Sequence, residues 1–186
     1  MSGLVNLVRN LHNGVFDFIH KITDGWFLGL AARVVFVAVL YGYYLNSAFT
    51  KVGEGFLGFF TISSGAYFQI AMPAVEAAGF DPDAVAFFPW GLIVFLGTYA
   101  EFILPLLIVI GLFSRMAALG MIAFIVVQSL TDVYVHKIGA ESTGALFDRV
   151  PDSLILDQRL LWIFVLVVLV LKGAGKVSVD HFLSKR

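Results

Sequence analysis

Charged residues lie inside four stretches of this chain that are otherwise apolar enough to sit in a lipid bilayer. Arg33, Glu101, Asp132 and Arg159 fall within these stretches or at their edges. Hydrophobic residues make up 60% of the chain, whereas soluble domains contain roughly 45–50%. Placing a charged side chain at the centre of a bilayer costs at least about 2.5–3.5 kcal/mol on insertion scales. The sequence therefore predicts that these charges pair with one another inside a helix bundle.

The apolar stretches have the length that a membrane span requires. About 20 apolar residues are needed to cross roughly 30 Å of hydrocarbon as a helix, and the mean hydropathy of the chain is +0.93. The predicted fold class is all-α, a bundle of four transmembrane helices. The predicted spans are residues 27–50, 85–113, 116–135 and 154–171.

Two further helices are predicted outside the spans. Residues 4–22 repeat apolar side chains at helical spacing and carry polar ones on another face. Such a helix either lies flat in the membrane interface or packs against a partner, and both readings stay open. Residues 53–84 predict a long outer loop that holds a surface helix over residues 66–78. The predicted organisation is an interfacial helix over 1–26, a four-helix membrane domain over 27–182 and a basic tail over 183–186.

Composition excludes several classes of function. The net charge of −1 provides no basic footprint for nucleic acid. The absence of cysteine excludes disulfides, thiolate metal sites, iron–sulfur clusters and dithiol redox centres. Of the four histidines only His136 is predicted in the outer half of the bilayer, which argues against a haem with two histidine ligands. A metal held by His136, Asp132 and Glu101 is chemically feasible, but a lone histidine beside an aspartate is usually hydrogen-bonded, and no metal site is predicted.

Lysine and arginine counts predict the orientation in the membrane. With the N-terminus inside, eight of the twelve basic residues fall on the inner side and four on the outer side. Because cytoplasmic loops carry the excess of lysine and arginine, both termini are predicted to be cytoplasmic, in the inner membrane of a bacterium.

Polar residues on different spans are predicted to lie at one depth. Glu101 lies 14 residues before Arg115, and Gln128 lies 13 residues after it. At 1.5 Å per residue both sit about 20 Å from the inner side. Counting residues from the inner ends of the fourth and first spans places Arg159 and Tyr41 at a similar distance from the inner side. The four spans are thus expected to share one polar layer in the outer half of the bilayer.

A polar stripe on the third span extends this layer outward. Gln128, Asp132 and His136 follow one another at a spacing of four residues, which puts them on one helix face. Asp157 and Arg159 begin the fourth span from the same side of the membrane. These residues and Glu101 form one predicted cluster.

The pairing expected within this cluster is Glu101 with Arg159, because neither charge is tolerated alone in hydrocarbon. Three roles for the cluster stay open: structural fixing of the helices, a pocket for a ligand or quinone, and a path for an ion or substrate. The candidate catalytic residues are Glu101, Asp132 and Arg159, and the candidate ligand-binding residues are Tyr41, Gln128, His136 and Asp157.

Two charged residues near the inner side are predicted to act locally. Arg33 lies near the start of the first span, from where its side chain is expected to reach the cytoplasmic headgroups. Asp180 precedes a short apolar segment and is expected to cap the terminal helix that this segment forms.

Short motifs lie at the ends of the spans in a fixed order. They are Ala31-Ala32-Arg33, Ser47-Ala48-Phe49-Thr50-Lys51, Tyr99-Ala100-Glu101, Gly111-Leu112-Phe113-Ser114-Arg115-Met116-Ala117-Ala118-Leu119 and Gly173-Ala174-Gly175-Lys176-Val177-Ser178-Val179-Asp180. Their order and spacing resemble those of the DoxX family of small bacterial membrane proteins. The fourth motif is similar to that family's Gly-Leu-x-x-Arg-x-Ala-Ala turn, and the fifth to its Gly-x-Gly-x-x-Ser-x-Asp tail.

The resemblance implies four transmembrane helices and an association with redox chemistry, since relatives include the membrane subunit of thiosulfate:quinone oxidoreductase. The first functional hypothesis is a subunit of a quinone-linked redox system, and quinone is the cofactor that this hypothesis implies. Arg159 would hold a quinone headgroup or small oxyanion, and Glu101 or Asp132 would relay protons. Whether the chain is itself an enzyme stays open.

Two rival hypotheses remain. The chain could be a non-enzymatic anchor or assembly partner in a larger membrane complex, with the helix over 4–22 as a docking surface. A small transporter is the third, although four spans without inverted repeats argue against it. The partners considered are the lipid bilayer, a second protein and another copy of the chain.

Overall fold

Helices joined by loops make up the computed structural model, which describes residues 2–185. Met1 and Arg186, the ends of the predicted N-terminal segment and basic tail, lie outside the described residues. Within residues 2–185 the chain forms no β-strand, and one isolated bridge joins Val52 and Ile62. The helices are α1 (Ser2–Thr23), α2 (Phe27–Phe49), α3 (Gly55–Gly58), α4 (Ser64–Ile70), α5 (Met72–Ala77), α6 (Phe87–Ile110), α7 (Ser114–Val135), α8 (Ala140–Thr143), α9 (Leu154–Lys172) and α10 (Val179–Ser184).

Four of these helices, α2, α6, α7 and α9, are long and apolar enough to cross a membrane. Their bounds agree with the four predicted spans to within three residues. The agreement follows from composition, because an uninterrupted apolar run of this length can satisfy its backbone in a bilayer only as a helix. The prediction of an all-α fold with four potential membrane spans is therefore confirmed.

The four long helices pack side by side. α9 contacts both α7 and α2, α7 contacts α6, and the second half of α2 contacts α6. Their shared core is apolar, and large apolar side chains elsewhere on these helices remain exposed, as a lipid-facing surface requires. The fully buried core side chains include Phe36, Leu40, Tyr44, Ile108, Met121, Ile125, Leu166 and Leu169.

The bundle has two different ends. The terminal end comprises the start of α2, the turn between α6 and α7, the end of α9 and α10. The loop end comprises residues 50–86 and 136–153. The positive-inside argument applies to these ends, but which of them faces the cytoplasm stays a prediction.

Several spans contain a wider, π-type turn, in which the backbone N–H bonds to the carbonyl five residues earlier. In α7 the N–H of His136 donates to the Thr131 carbonyl at 3.0 Å. In α9 the N–H of Gln158 donates to the Ser153 carbonyl at 3.1 Å. Such turns rotate the following side chains relative to a regular helix and are frequent at functional sites.

The first loop contains short helices in place of the single helix predicted over residues 66–78. α4 and α5 are separated at Ala71, whose backbone is not helical, and Pro73 falls in the first turn of α5. Proline lacks the N–H that a continuous helix would need there. Ala66 and Ala71 are buried in a small cluster with Val94 of α6, so this loop packs on the bundle.

The amphipathic segment predicted over residues 4–22 forms helix α1. Its apolar side chains, Leu4 and Leu11 among them, remain largely exposed, and no extensive packing joins α1 to the bundle. Whether this face meets a membrane surface or a partner stays a prediction.

Candidate functional site

A closed ion pair joins Lys51, just beyond α2, to Glu101 in the middle of α6. The Lys51 Nζ lies 3.0 Å from the Glu101 Oε2, and each side chain is only 4% exposed. The same ammonium group donates to the Ser47 Oγ at 2.7 Å and to the Ser47 carbonyl at 3.1 Å. Since an ammonium group has three hydrogens, all of its donors find an acceptor.

This contact corrects the predicted pairing of Glu101 with Arg159. Lys51 is one of the four basic residues predicted on the outer side, and the sequence predicts no ion pair for it. The chain bends after α2, where the N–H of Lys51 donates to the Ala48 carbonyl at 3.0 Å. The spacing of four residues between Ser47 and Lys51 is the sequence signal that could have revealed this pocket for a buried ammonium group.

An open ion pair joins Asp132 in α7 to Arg159 in α9. The Arg159 Nη2 lies 2.5 Å from the Asp132 Oδ2, and the Nη1 donates to the Ser129 Oγ at 3.1 Å. The Arg159 side chain is 8% exposed, but that of Asp132 is 25% exposed. The buried Nε of Arg159 has no acceptor among the described residues. Both residues belong to the predicted cluster, but their pairing was not predicted, and it leaves one donor of Arg159 without a partner among the described residues.

Both members of the open pair lie in π-type turns. Asp132 belongs to the turn Thr131–Val135, and Arg159 ends the turn Leu154–Arg159. Glu101 lies instead within the regular α-helical part of α6. The wider turns rotate the two side chains toward each other, and periodicity in the sequence does not reveal where such turns occur.

Tyrosine side chains surround Gln128 in the bundle. The Gln128 Nε2 donates to the Tyr43 Oη at 3.0 Å, and the Tyr44 Oη lies 3.4 Å from the Gln128 Oε1. The ring of Tyr43 lies 5.4 Å from that of Trp162, which itself lies 6.0 Å from the Arg159 guanidinium. Tyr41, the predicted tyrosine, packs against the apolar core. The tyrosines that contact Gln128 are thus Tyr43 and Tyr44, and a ligand-binding role for Tyr41 stays a prediction.

His136 and Asp157 both have local partners. The His136 Nε2 lies 3.0 Å from the carbonyl oxygen of Gln69 in α4. The Asp157 carboxylate accepts the Ser153 N–H at 2.9 Å, and the Ser153 Oγ accepts the Asp157 N–H at 3.2 Å. This reciprocal arrangement caps the start of α9. His136 and Asp157 thus make contacts of their own, outside the Asp132–Arg159 pair, and their ligand-binding roles stay predictions.

Within residues 2–185 no group of three or more histidine, aspartate or glutamate side chains could hold a metal ion. The three residues considered for a metal bind different groups: Glu101 binds Lys51, Asp132 binds Arg159 and His136 contacts Gln69. A second buried polar atom without a partner, besides the Arg159 Nε, is the Oγ1 of Thr98, three residues before Glu101.

Arg33 joins the helices at the terminal end. Its Nε donates to the Ile108 carbonyl at 3.0 Å and its Nη2 to the Val109 carbonyl at 2.5 Å. Its Nη1 donates to the carbonyl of Val177 in the C-terminal segment. The prediction that Arg33 reaches the headgroups is wrong, because the guanidinium donates instead to carbonyls at the end of α6 and in the C-terminal segment.

Asp180 caps the start of α7, although the two are far apart in sequence. Its carboxylate accepts the N–H of Phe113 at 2.7 Å and the N–H and Oγ of Ser114 at 2.9 and 2.7 Å. Burial by itself would raise the pKa of Asp180, but these hydrogen bonds and the charge of Arg33 hold the pKa below its ordinary value. The predicted cap of the terminal helix is wrong, because Ser178 accepts the His181 N–H and caps α10.

Residues of three separate motifs therefore meet at the terminal end. The Asp180 N–H donates to the Gly111 carbonyl at 2.8 Å. Gly111 has a φ of +72°, and a Cβ there would lie 2.6 Å from the Cβ of Ser178. A Cβ on Gly29 would lie 2.5 Å from the Gly173 carbonyl oxygen. The glycines, arginine and aspartate of these motifs thus have a structural role, the close packing of three chain segments.

Comparison with protein families, with characterised proteins and with solved structures gives no significant match to this chain.

Proposed function

We propose that this chain is a membrane protein of the DoxX type that binds a quinone headgroup or a small oxyanion at the Asp132–Arg159 pair, as a subunit of a quinone-linked redox system. The observation that carries the proposal is the Nε of Arg159, a buried donor without an acceptor among the described residues. Because leaving a buried donor unsatisfied costs about 1–3 kcal/mol, such a group is a reasonable position for a ligand atom.

The surroundings of Arg159 fit both ligand classes. A quinone carbonyl or an oxyanion oxygen accepts a hydrogen bond from a guanidinium N–H. The half-buried ring of Trp162 lies beside the guanidinium and would give a quinone ring an apolar face. The partial exposure of Asp132 allows its carboxylate to exchange protons. Glu101 has no part in the proposed site, because Lys51 occupies its carboxylate.

The redox step involves this chain through protons. Reduction of a quinone to a quinol takes up two electrons and two protons. In this proposal a partner redox protein would supply the two electrons, Asp132 would pass one proton, and solvent water would supply the second. Arg159 orients the headgroup, and its charge stabilises the negative charge that develops on the quinone oxygen.

Quinone retention tests this proposal. The full chain would be extracted gently from its native membrane and its quinone content quantified by chromatography. We expect retained quinone in the unaltered chain and at least a tenfold loss, roughly 1.4 kcal/mol, in the Arg159→Lys and Asp132→Asn variants. The double variant Lys51→Met with Glu101→Leu is the matched control, since it removes the other ion pair without leaving a buried charge unpaired, and it should retain the quinone.

Added probes separate the two ligand classes. Decylubiquinone and thiosulfate would each be titrated into the purified chain while the fluorescence of Trp162 is followed. Saturable quenching by one probe that Arg159→Lys abolishes would identify its class. If neither probe binds and no quinone is retained, the proposal fails.

A second candidate function is a non-enzymatic anchor or assembly partner. The exposed apolar face of α1, which includes Leu4, Leu11 and Phe18, favours it. Chemical cross-linking in intact membranes would test it, with a stoichiometric adduct to a second protein or to another copy of this chain as the expected product. The adduct should survive Arg159→Lys and disappear when Leu11→Glu places a charge on the face.

The orientation belongs to the same proposal. The excess of lysine and arginine at the terminal end supports cytoplasmic termini in a bacterial inner membrane. The chain has no cysteine, so the reaction of a single introduced cysteine shows on which side of the membrane that residue lies. Ser184→Cys should resist a membrane-impermeant maleimide added outside intact spheroplasts, and Glu141→Cys should react; the reverse pattern would invert the topology.

A further inference from the structure

We infer that the terminal end of the bundle carries a binding site for an anionic phospholipid headgroup. The site is an open cleft of about 440 Å³ between the α1–α2 link, the α6–α7 turn and the C-terminal segment. It lies away from both ion pairs and is independent of the function proposed for them. Its lining includes Gly25, Phe113, Arg115, Met116, Lys172 and Lys176.

Three basic side chains give this cleft its charge. Arg115, Lys172 and Lys176 are exposed, and among the described residues none of them has a hydrogen-bond or ion-pair partner. The cleft also contains one carboxylate, that of Asp180, but it is already bound by Phe113 and Ser114. The cleft therefore presents an excess of positive charge that the chain itself does not neutralise.

The basic groups are held close to one another by the backbone. A Cβ on Gly173 would lie 3.4 Å from the Arg115 Nε, and a Cβ on Gly25 would lie 3.2 Å from the Lys176 Cε. The guanidinium therefore lies against the end of α9, and the Lys176 stem lies against the link that follows α1. This positioning concentrates the three charges in one concave surface.

The apolar side chains at the rim of the cleft favour a lipid over a free anion as its ligand. Phe113 and Met116 line it, and their side chains are 66% and 69% exposed. They lie where two long apolar helices end, so an acyl chain would extend along them while the phosphate meets the basic groups. A free anion such as inorganic phosphate would make no use of these apolar side chains. Basic pockets between membrane helices are known to bind anionic headgroups.

Tryptophan quenching by brominated lipids tests this site, because Trp26 lies beside the cleft. A Cβ on Gly175 would lie 2.7 Å from the Trp26 carbonyl oxygen. The full chain would be placed in phosphatidylcholine vesicles with a minor fraction of brominated phosphatidylglycerol or, for comparison, brominated phosphatidylcholine. The Trp26 signal is the part of the quenching that Trp26→Phe removes. We expect stronger quenching of this signal by the anionic lipid.

A double variant and a matched control locate the charges responsible. Each basic residue near a membrane surface strengthens anionic lipid binding about fivefold, so Arg115→Gln with Lys176→Gln should lower the preference about 25-fold. The control, Arg149→Gln with Lys137→Gln, removes the same two residue types at the loop end and should change nothing. All four side chains are exposed, and unchanged helix content would verify that each variant folds.

Three results would overturn the inference. Equal quenching by the two lipids would mean that no headgroup preference exists. An equal loss in the control variant would assign the effect to overall charge. Displacement of the brominated lipid by inorganic phosphate at constant ionic strength would make the cleft a site for free anions.

Discussion

The two ion pairs inside the bundle use the same chemistry but differ in how completely they are satisfied. In the Lys51–Glu101 pair every donor of the ammonium group has an acceptor, and both side chains are almost fully buried. In the Asp132–Arg159 pair the carboxylate is one-quarter exposed, and one guanidinium nitrogen has no partner among residues 2–185. A closed pair has no donor left for a ligand and serves only to hold helices together. An open pair still has a donor that a ligand can use.

The identity of the cation accounts for part of this difference. A lysine ammonium is a compact charge on a flexible stem, and the two oxygens of Ser47 with one from Glu101 satisfy it completely. An arginine guanidinium presents five donors in a rigid planar fork, which is harder to satisfy from a single direction. Arg159 uses two of its nitrogens on Asp132 and Ser129 and leaves the third available.

The largest effect is expected from breaking the closed pair. Lys51→Met leaves the Glu101 carboxylate buried without its counter-ion, which should lower the free energy of unfolding by about 3–5 kcal/mol. The measurement is reversible unfolding of the purified chain in mixed micelles. The double variant Lys51→Met with Glu101→Leu is the control and should recover most of the loss, because replacing both charges removes the unpaired one. An unaltered stability in Lys51→Met would show that water reaches this pair and that it is not closed.

A smaller effect is expected at the open pair. Asp132→Asn keeps the side-chain shape and leaves Arg159 near a polar group, so the loss in unfolding free energy should be about 1–3 kcal/mol. The same unfolding assay compares it with Lys51→Met. If Asp132→Asn costs as much as Lys51→Met, the contrast between a closed and an open pair is wrong.

Asp180, at the terminal end and outside the spans, is a third charged group whose contribution to stability can be compared with that of the two ion pairs. The pKa of Asp180 is lower in the folded chain than its ordinary value of 3.8. Its contribution to stability is therefore fully present above that value and is lost as the pH falls through the lower folded pKa. Asp180→Asn should cost about 1 kcal/mol at neutral pH, because hydrogen bonds to a charged acceptor are stronger than those to a neutral one.

Unfolding measured between neutral and strongly acidic pH checks this prediction. The difference in stability between the unaltered chain and Asp180→Asn should shrink toward acid pH. Ser184→Ala, an exposed change in the same short helix, provides the control. A difference that stays constant with pH would mean that the carboxylate charge does not stabilise the turn between α6 and α7.

An effect of similar size is expected at Ser153, the partner of Asp157. Ser153→Ala removes the acceptor of the Asp157 N–H and should lower the unfolding free energy by about 0.5–2 kcal/mol. It should leave quinone or oxyanion binding at Arg159 unaltered, as binding assays on the same sample would verify. A selective loss of binding would instead return Asp157 to the ligand site, where the sequence placed it.

The spans and the general position of the polar groups could be predicted, whereas the partners of those groups could not. Counting residues from the inner ends of the spans placed Glu101, Gln128 and Arg159 at one depth, because helical rise is nearly constant. The same count could not say that Glu101 meets Lys51, since that depends on how the chain bends after α2. It also could not locate the π-type turns that rotate Asp132 and Arg159 toward each other.

The motifs at the terminal end illustrate the same limit. Arg33, Gly111 and Asp180 are far apart in sequence, and each invited a local interpretation: a headgroup contact, a turn and a cap for the next helix. In the folded chain they belong to one network of hydrogen bonds around the end of α6 and the start of α7. Local reasoning failed because helix ends can be satisfied by any segment that packs against them.

The sequence by itself determined that this chain forms four long apolar helices with charges between them. That result follows from composition and length, since a bilayer leaves an apolar run no other way to satisfy its backbone. Only the tertiary structure decided which charge meets which, that Lys51 closes over Glu101, and that Arg159 keeps a free donor. Those outcomes depend on side-chain directions and chain bends of a few ångströms, which residue spacing does not specify.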